Sequence, residues 1–353
     1  MKPSALPVIS ILVAIGAVGC ATKHTPRPDS SDAEALAFAY LSTEVPAWHR
    51  EHACFSCHNN GDGAAALLFS SSNHPNASDS TLKDTLHWLN RPQVWHENKG
   101  DPAYSDFKLA RIQFGRALLI ATQLGHIKDR GPLREAAGQI ARDQDPDGAW
   151  RIEDDSSPGS PVTYGNPLAT VHATALLASA DASRFKTNIN AASVWLSELP
   201  LRNVPSAAAV VLGLCQLTPD NMSEPVEQAI AYLHQAQSQT TGGWGPYRGA
   251  PAEPFDTALA ISALWIAPRA AETEARIRLG RSFLLSEQLP GGGWPETTRP
   301  TNGESYAQHI STTAWALSAL VSTSSPSNAL LGNPPISGSD ETTRTRSSPQ
   351  SVQ

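Results

Sequence analysis

The chain has 353 residues, and 33 acidic against 26 basic side chains leave a formal charge of −7. Apolar residues make up 40% of it, enough for a substantial core. The mild acidity and the scatter of its basic residues exclude a broad cationic surface for nucleic acid.

The chain opens on "MKPSALPVISILVAIGAVGC", with one lysine, an apolar stretch from Leu6 to Val18 and small residues ending at Cys20. That stretch falls short of the ~20 residues a bilayer span needs, so residues 1–20 read as a cleaved signal. "AVGC" resembles the lipobox of bacterial lipoproteins, with Ala17 where that family usually has Leu. The resemblance implies a diacylated Cys20 that anchors the protein on a membrane. Ala21 behind it implies the cell envelope, on the periplasmic face of the outer membrane. Residues 21–33 then form a tether and 322–353 a Ser- and Pro-rich tail, both too polar to bury a face and expected to be disordered.

From 34 to 321 one phrase recurs: an amphipathic helix, a turn, then a helix rich in Ala. The first helices begin near Glu34, Leu82, Leu133, Asn190, Pro225 and Glu274, the second near Ala64, Asp106, Leu168, Ser206, Asp256 and Ser311. The second set is apolar nearly all round and suits an inner layer, while the first carries a polar face and suits an outer one. Six pairs predict an all-α protein, an α6/α6 toroid; an open solenoid would carry polar caps at both ends. Three turns share a pattern, "QDPDGAW", "QSQTTGGWG" and "QLPGGGW", in which Gly permits tight geometry and Trp150, Trp244 and Trp294 plug the space between pairs. A degenerate repeat around Trp195 fills the gap between the first two. Cys215, in "AAAVVLGLCQL", reads as an inert core thiol.

These Gln, Gly and Trp turns resemble the QW motifs of the squalene cyclase and prenyltransferase superfamily, over about residues 34–321. The resemblance implies the toroid and a central cavity that often takes isoprenoids. Triterpene cyclases of that superfamily protonate their substrate with the middle Asp of an Asp-x-Asp-Asp motif. Aligned on Asp256-Thr257-Ala258, the acid position here is Phe255, which cannot donate a proton, so triterpene cyclisation is not expected. Prenyltransferase β subunits hold zinc with an Asp, a Cys and a His. Asp256 and His309 correspond, but Ala258 replaces the Cys, and two ligands do not make a tight site. Taken by themselves, Asp256 also reads as a helix N-terminal cap and His309 as a polar lining residue.

"HACFSCHNN" departs from the repeats. Cys54, Cys57 and His58 form the Cys-x-x-Cys-His run by which c-type haem is attached, the thiols adding across the haem vinyls and the His reaching iron. Export favours haem c. Zinc would draw on an irregular set from His49, His52 and His74, and a Cys54–Cys57 disulfide would leave His58 incidental. The run falls in the outer-to-inner turn of the first repeat, on the rim expected to carry Tyr104, Tyr164, Tyr247, Asp256, Tyr306 and His309, with His172 one turn deeper. His172 or His309 is a candidate sixth iron ligand, beside the nearer His49, His52 and His74; Met222 belongs to the opposite end. The leading expectation is a lipid-anchored haem protein in electron transfer or redox sensing with a partner protein. The alternatives are a toroid binding an isoprenoid, hopanoid or glycan, and a haem- or metal-dependent enzyme on a small substrate, with Asp256 and the rim histidines as acid or base.

Overall fold

The computed structural model describes residues 30–71, 79–98, 107–152, 158–217, 223–268, 270–299 and 305–324. Twelve α-helices follow in order: α1 Ser30–His52, α2 Ala64–Ser70, α3 Asp79–Leu89, α4 Phe107–Gln123, α5 Gly131–Arg142, α6 Gly165–Asp181, α7 Lys186–Ser197, α8 Val204–Leu217, α9 Glu224–Ala236, α10 Pro254–Ile266, α11 Ala271–Glu287 and α12 Tyr306–Ser324. A π-helix, Cys57–Gly63, leads into α2, and a 3-10 helix spans Pro92–Glu97. The even-numbered helices pack each on the next, and α12 packs back on α2, so the inner layer closes into a ring. The odd-numbered helices clothe it. The six pairs and their layers are those read from the sequence, and α1 starts four residues before the expected boundary.

The three Gln-Gly-Trp turns show how neighbouring pairs are stitched. The amide of Gln144 donates to Gly148 O and to Asn188 O of the next outer helix, both at 2.9 Å. Gln237 repeats this with Gly242 O and Arg276 O, and Gln288 with Gly292 O and Ala33 O. The last pair joins repeat six to repeat one. Each Trp is fully buried, and its indole N–H donates at 2.7 Å to a carbonyl of its own outer helix, at Ile140, Leu233 and Leu284. Its backbone N–H donates to a threonine of the following inner helix, Thr170, Thr257 or Thr313.

Gly148 stands at φ +101°, and a Cβ there would run into the Ala191 carbonyl of α7. Gly138, in the middle of α5, would place a Cβ 4.0 Å from an Arg142 nitrogen. Gly148→Ala is therefore expected to destabilise the protein by about 2–3 kcal/mol, and Gly138→Ala to stabilise it by about 0.5–1 kcal/mol, in paired urea unfolding curves. Equal effects from the two substitutions would contradict the turn geometry.

Candidate functional site

Asn, Gly and Asp are poor helix formers, so "HNNGDG" reads as a turn. In the structure it is helical, and the second cysteine and the histidine begin the inner helix rather than end a loop. Side-chain bonds supply what propensity lacks. Ser56 caps the segment, its Oγ accepting from the backbone N–H of His58 at 3.1 Å and of Asn59 at 3.3 Å. Asn60 accepts from Ser56 N and donates to Thr85 Oγ1 at 2.9 Å, and Asn59 donates to Glu44 O and to the Tyr306 hydroxyl. Gly61 and Gly63 sit where a Cβ would press on Gln113 and Val45, so α4 and α1 approach closely. π-Helical turns of this kind concentrate at functional sites.

Phe55, the other residue between the cysteines, is clamped too. Phe55 stacks between His49 and Trp88, with ring centroids 4.0 and 4.5 Å away. Asn98 holds its backbone from both sides, accepting from Phe55 N at 3.0 Å and donating to Phe55 O at 2.6 Å. Cys54 is buried, Cys57 and His58 are half-buried, and no disulfide joins the two cysteines.

Asp62, one helical turn beyond His58, is the hub of the site and fully buried. It accepts from the Tyr164 hydroxyl, from Ser311 Oγ at 2.8 Å and from Gln113 Nε2 at 2.9 Å, and the Arg116 guanidinium lies 3.7 Å away. Burial pushes its pKa up, against the pull of Arg116 and the three donors. Ser311 Oγ also lies 3.0 Å from His58 Nδ1, and Gln113 Nε2 at 3.4 Å. With Asp62 ionised, the single Ser311 proton goes to Asp62, and Nδ1–H is then the donor in the shorter contact. That tautomer puts the lone pair on Nε2. Burial also lowers the His58 pKa to about 4, so the ring is neutral at physiological pH.

Of the predicted rim residues that are described, Tyr164 alone joins His58 in this network; its hydroxyl pKa is raised by burial and by Asp62. His172 is buried on the far side of Tyr164, with ring centroids 5.5 Å apart, and packs on Trp315 at 5.6 Å. Asp256 is locked by Arg299 at 2.6 and 2.8 Å. Burial raises its pKa to about 6. Phe255 beside it is an edge-on neighbour of Trp315. Tyr306 stacks on Trp48 and donates to Glu44. His309 meets Tyr40 edge-on and Glu296 at 3.7 Å, beneath the turn that carries Gly293. Tyr247 is exposed. Cys215 is buried, its pKa pushed up to about 11 by desolvation. Cys20, His74, Tyr104 and Met222 lie outside the described residues. Among those described, no three His, Cys, Asp or Glu side chains converge as a metal set, and no helix is long and apolar enough to cross a membrane.

Asp62, Gln113, Arg116 and Ser311 were not singled out from the sequence. Arg116 carried a readable signal, a lone charge in the apolar run "FGRALLIA" of an inner helix. Beyond this network the axis opens into a cavity of about 40 Å³ reached by all six inner helices, through Phe69, Arg116, His172, Leu212, Trp265 and Trp315 among others. That is room for about three waters, so a polyprenyl chain would need side chains to swing aside. A larger cleft of about 270 Å³ lies beside the α7–α8 turn, against Trp195, Asn203 and Pro205.

No family model matches the chain. Over 107 residues it is 28% identical to lanosterol synthase of Candida albicans, a match that covers 29% of this chain and only 15% of that protein. Solved structures align over most of its length. The type II terpene cyclase MstE from Scytonema, in its apo form, is 13% identical, with 84% of this chain and 98% of that one covered at a TM-score of 0.55. A protein from Actinoplanes is 17% identical, with 84% and 100% covered at 0.56. A possible member of the GH105 family from Salmonella enterica is 11% identical, with 92% and 100% covered at 0.54. At such identities the likeness is one of fold, and sites rather than folds carry function. The chain is an all-α protein with the α/α-toroid fold of these structures.

Proposed function

We propose that this toroid carries a covalently attached c-type haem, with Cys54 and Cys57 as the thioether anchors and His58 as the proximal ligand, and serves electron transfer or redox sensing. What supports the reading is the setting of the His58 imidazole, whose Nδ1 lies 3.0 Å from Ser311 Oγ. Its Nδ1–H is taken up by Ser311, as the outer partner of a ligating histidine should be, and a neutral Nε2 is left to coordinate. The donor set fits the group: two thiols not bridged to each other and one neutral imidazole, in a run fixed by Ser56 and Asn98. Haem supplies one-electron chemistry when bound. The protein's part is to hold the imidazole in one orientation and, through Asp62 and its donors, to keep a polar environment behind it. The reading includes an acylated Cys20 at the periplasmic face of the outer membrane and a partner protein that exchanges electrons.

The test is a pyridine haemochrome spectrum of the full chain, made in a host with c-haem maturation machinery, beside Cys54→Ala/Cys57→Ala. A haem signal that resists acid-acetone extraction and vanishes in the double variant is expected. A colourless wild type, with a control cytochrome matured in the same cells, would sink the reading.

A further inference from the structure

The α7–α8 connection is the shortest of the six within pairs. Residues 198–203 alone join its helices, where the Gln-Gly-Trp turns belong to connections of 143–164, 237–253 and 288–305. In those turns the tryptophan is fully buried, and its indole N–H donates to a carbonyl of its own outer helix. Trp195 instead belongs to α7 itself and is half-buried. Its Nε1 has no hydrogen-bond partner among the described residues and is not sealed from solvent. Where the other turns bury a tryptophan, this one leaves the cleft of about 270 Å³ that Trp195 lines.

Two further lining side chains are nine-tenths buried and keep a polar atom without a partner. Asn203 caps α8, its Oδ1 accepting from Ser206 N at 2.8 Å, which turns Nδ2 away from the helix end. Ser206 stands in the first turn of α8. Its Oγ makes no hydrogen bond among the described residues, whereas Ser262, Ser318 and Ser322 each bond back to the carbonyl one turn before. Asn203 and Ser206 are 9% and 7% exposed, and neither Nδ2 nor Oγ is sealed from solvent. The wall that carries them is held from outside. Val204 N donates to Pro246 O at 2.8 Å, and the Tyr232 hydroxyl donates to Arg202 O at 3.0 Å, so the cleft is formed in advance of any occupant.

An amide, a hydroxyl that both donates and accepts, and an indole N–H suit a ligand with several neutral hydroxyls better than one with a single charge. One carboxylate, Glu198, and one guanidinium, Arg202, both exposed, leave the lining without a net charge to select an ion. Leu199, Pro167 and Pro205 add apolar surface to that of the indole. A saturated ring with an apolar C–H face and a girdle of hydroxyls matches both halves of this lining. The volume, just below the roughly 300 Å³ at which small-molecule sites begin, limits the occupant to one such ring.

We propose that the α7–α8 cleft is a binding site for one pyranose unit, with Trp195 as its platform and Asn203 and Ser206 as partners of its hydroxyls. Saturation-transfer NMR of the full chain tests it, with D-glucose, D-galactose, D-mannose and N-acetyl-D-glucosamine as probes and sorbitol as an open-chain polyol. Saturable binding of at least one pyranose is expected, with sorbitol at least about tenfold weaker. The β-1,4-linked tetrasaccharides of the same sugars separate the sources. Affinity that rises more than about fourfold marks a unit within a glycan chain, and a smaller rise marks a free sugar. Asn203→Ser keeps a capping oxygen on a shorter side chain, and Ser206→Ala keeps a good helix former. The double variant should retain the wild-type urea midpoint and bind the pyranose at least about tenfold more weakly, and Trp195→Ala should abolish binding in a folded protein. No saturable binding of any of the four sugars, equal binding of sorbitol, or undiminished binding to either folded variant would each overturn the proposal. None of these readouts depends on whether haem is attached.

Discussion

Asp62→Ala is expected to lower the stability of the folded protein by about 3–5 kcal/mol, read as a shift of the urea midpoint at unchanged slope. The carboxylate has no exposure and accepts from Tyr164, Ser311 and Gln113 while facing Arg116. Its removal strands three donors and leaves a buried guanidinium without its counter-charge, which is the costly way to break a buried pair. Asp62→Asn keeps the shape but turns an N–H toward groups that already donate, so a smaller loss of about 1–3 kcal/mol is expected. The same variants should disturb His58, since Ser311 would regain a proton to offer to Nδ1. In a haem-loaded protein that change would be seen as a shifted reduction potential at unchanged haem content. A loss below about 0.5 kcal/mol in Asp62→Ala, the range of an ordinary surface change, would show that the network does not hold the axis.

Trp294→Ala is expected to cost about 3–5 kcal/mol, whereas Trp195→Ala should cost about 1 kcal/mol, with both measured by chemical unfolding. Trp294 is fully buried, donates to Leu284 O and lies in the turn through which Gln288 grips Ala33. Its loss opens a cavity at the junction where the last repeat meets the first, so fragment release by limited proteolysis should begin there. Trp195 belongs to one of the repeats without a Gln-Gly-Trp turn and is half-buried. Similar costs for the two would mean that the turns are not what closes the ring.

The architecture was legible because periodicity and turn chemistry are local. Ala-rich inner helices, polar-faced outer ones and the Gln-Gly-Trp turns each declare themselves within a dozen residues, and six helices of each layer with three such turns leave few ways to pack. Of the candidate site, Cys54, Cys57 and His58 were legible through their spacing and Tyr164 through its place on the rim. Asp62 was hidden by its own neighbours, since "NNGDG" has the composition of a loop and becomes helical through contacts from α1, α3, α4 and α12. Ser311 and Tyr164 meet Asp62 across 249 and 102 positions of sequence, and no local pattern marks such a meeting. Arg299 lies in a turn without periodicity, yet it captures Asp256, the residue that the family alignment made prominent. The six rim residues shared an end of the ring in prospect, but a rim is wide. Those described divide between the axis, the α1–α12 seam and the outer surface.

Arg281 gives the ring a direction. Its guanidinium bonds Ser30 Oγ at 2.6 Å, Leu320 O at 2.7 Å and Thr323 Oγ1, and so gathers the first residue of α1 and the last turn of α12 at one place. That place is at the opposite end of α1 from the Cys-x-x-Cys-His run, a helix of 23 residues and therefore about 34 Å away. On the lipid-anchored reading, a tether reaching back from Ser30 to Cys20 would hang the disc from its lower face. The proposed haem would then look outward, at the end of the ring away from the bilayer.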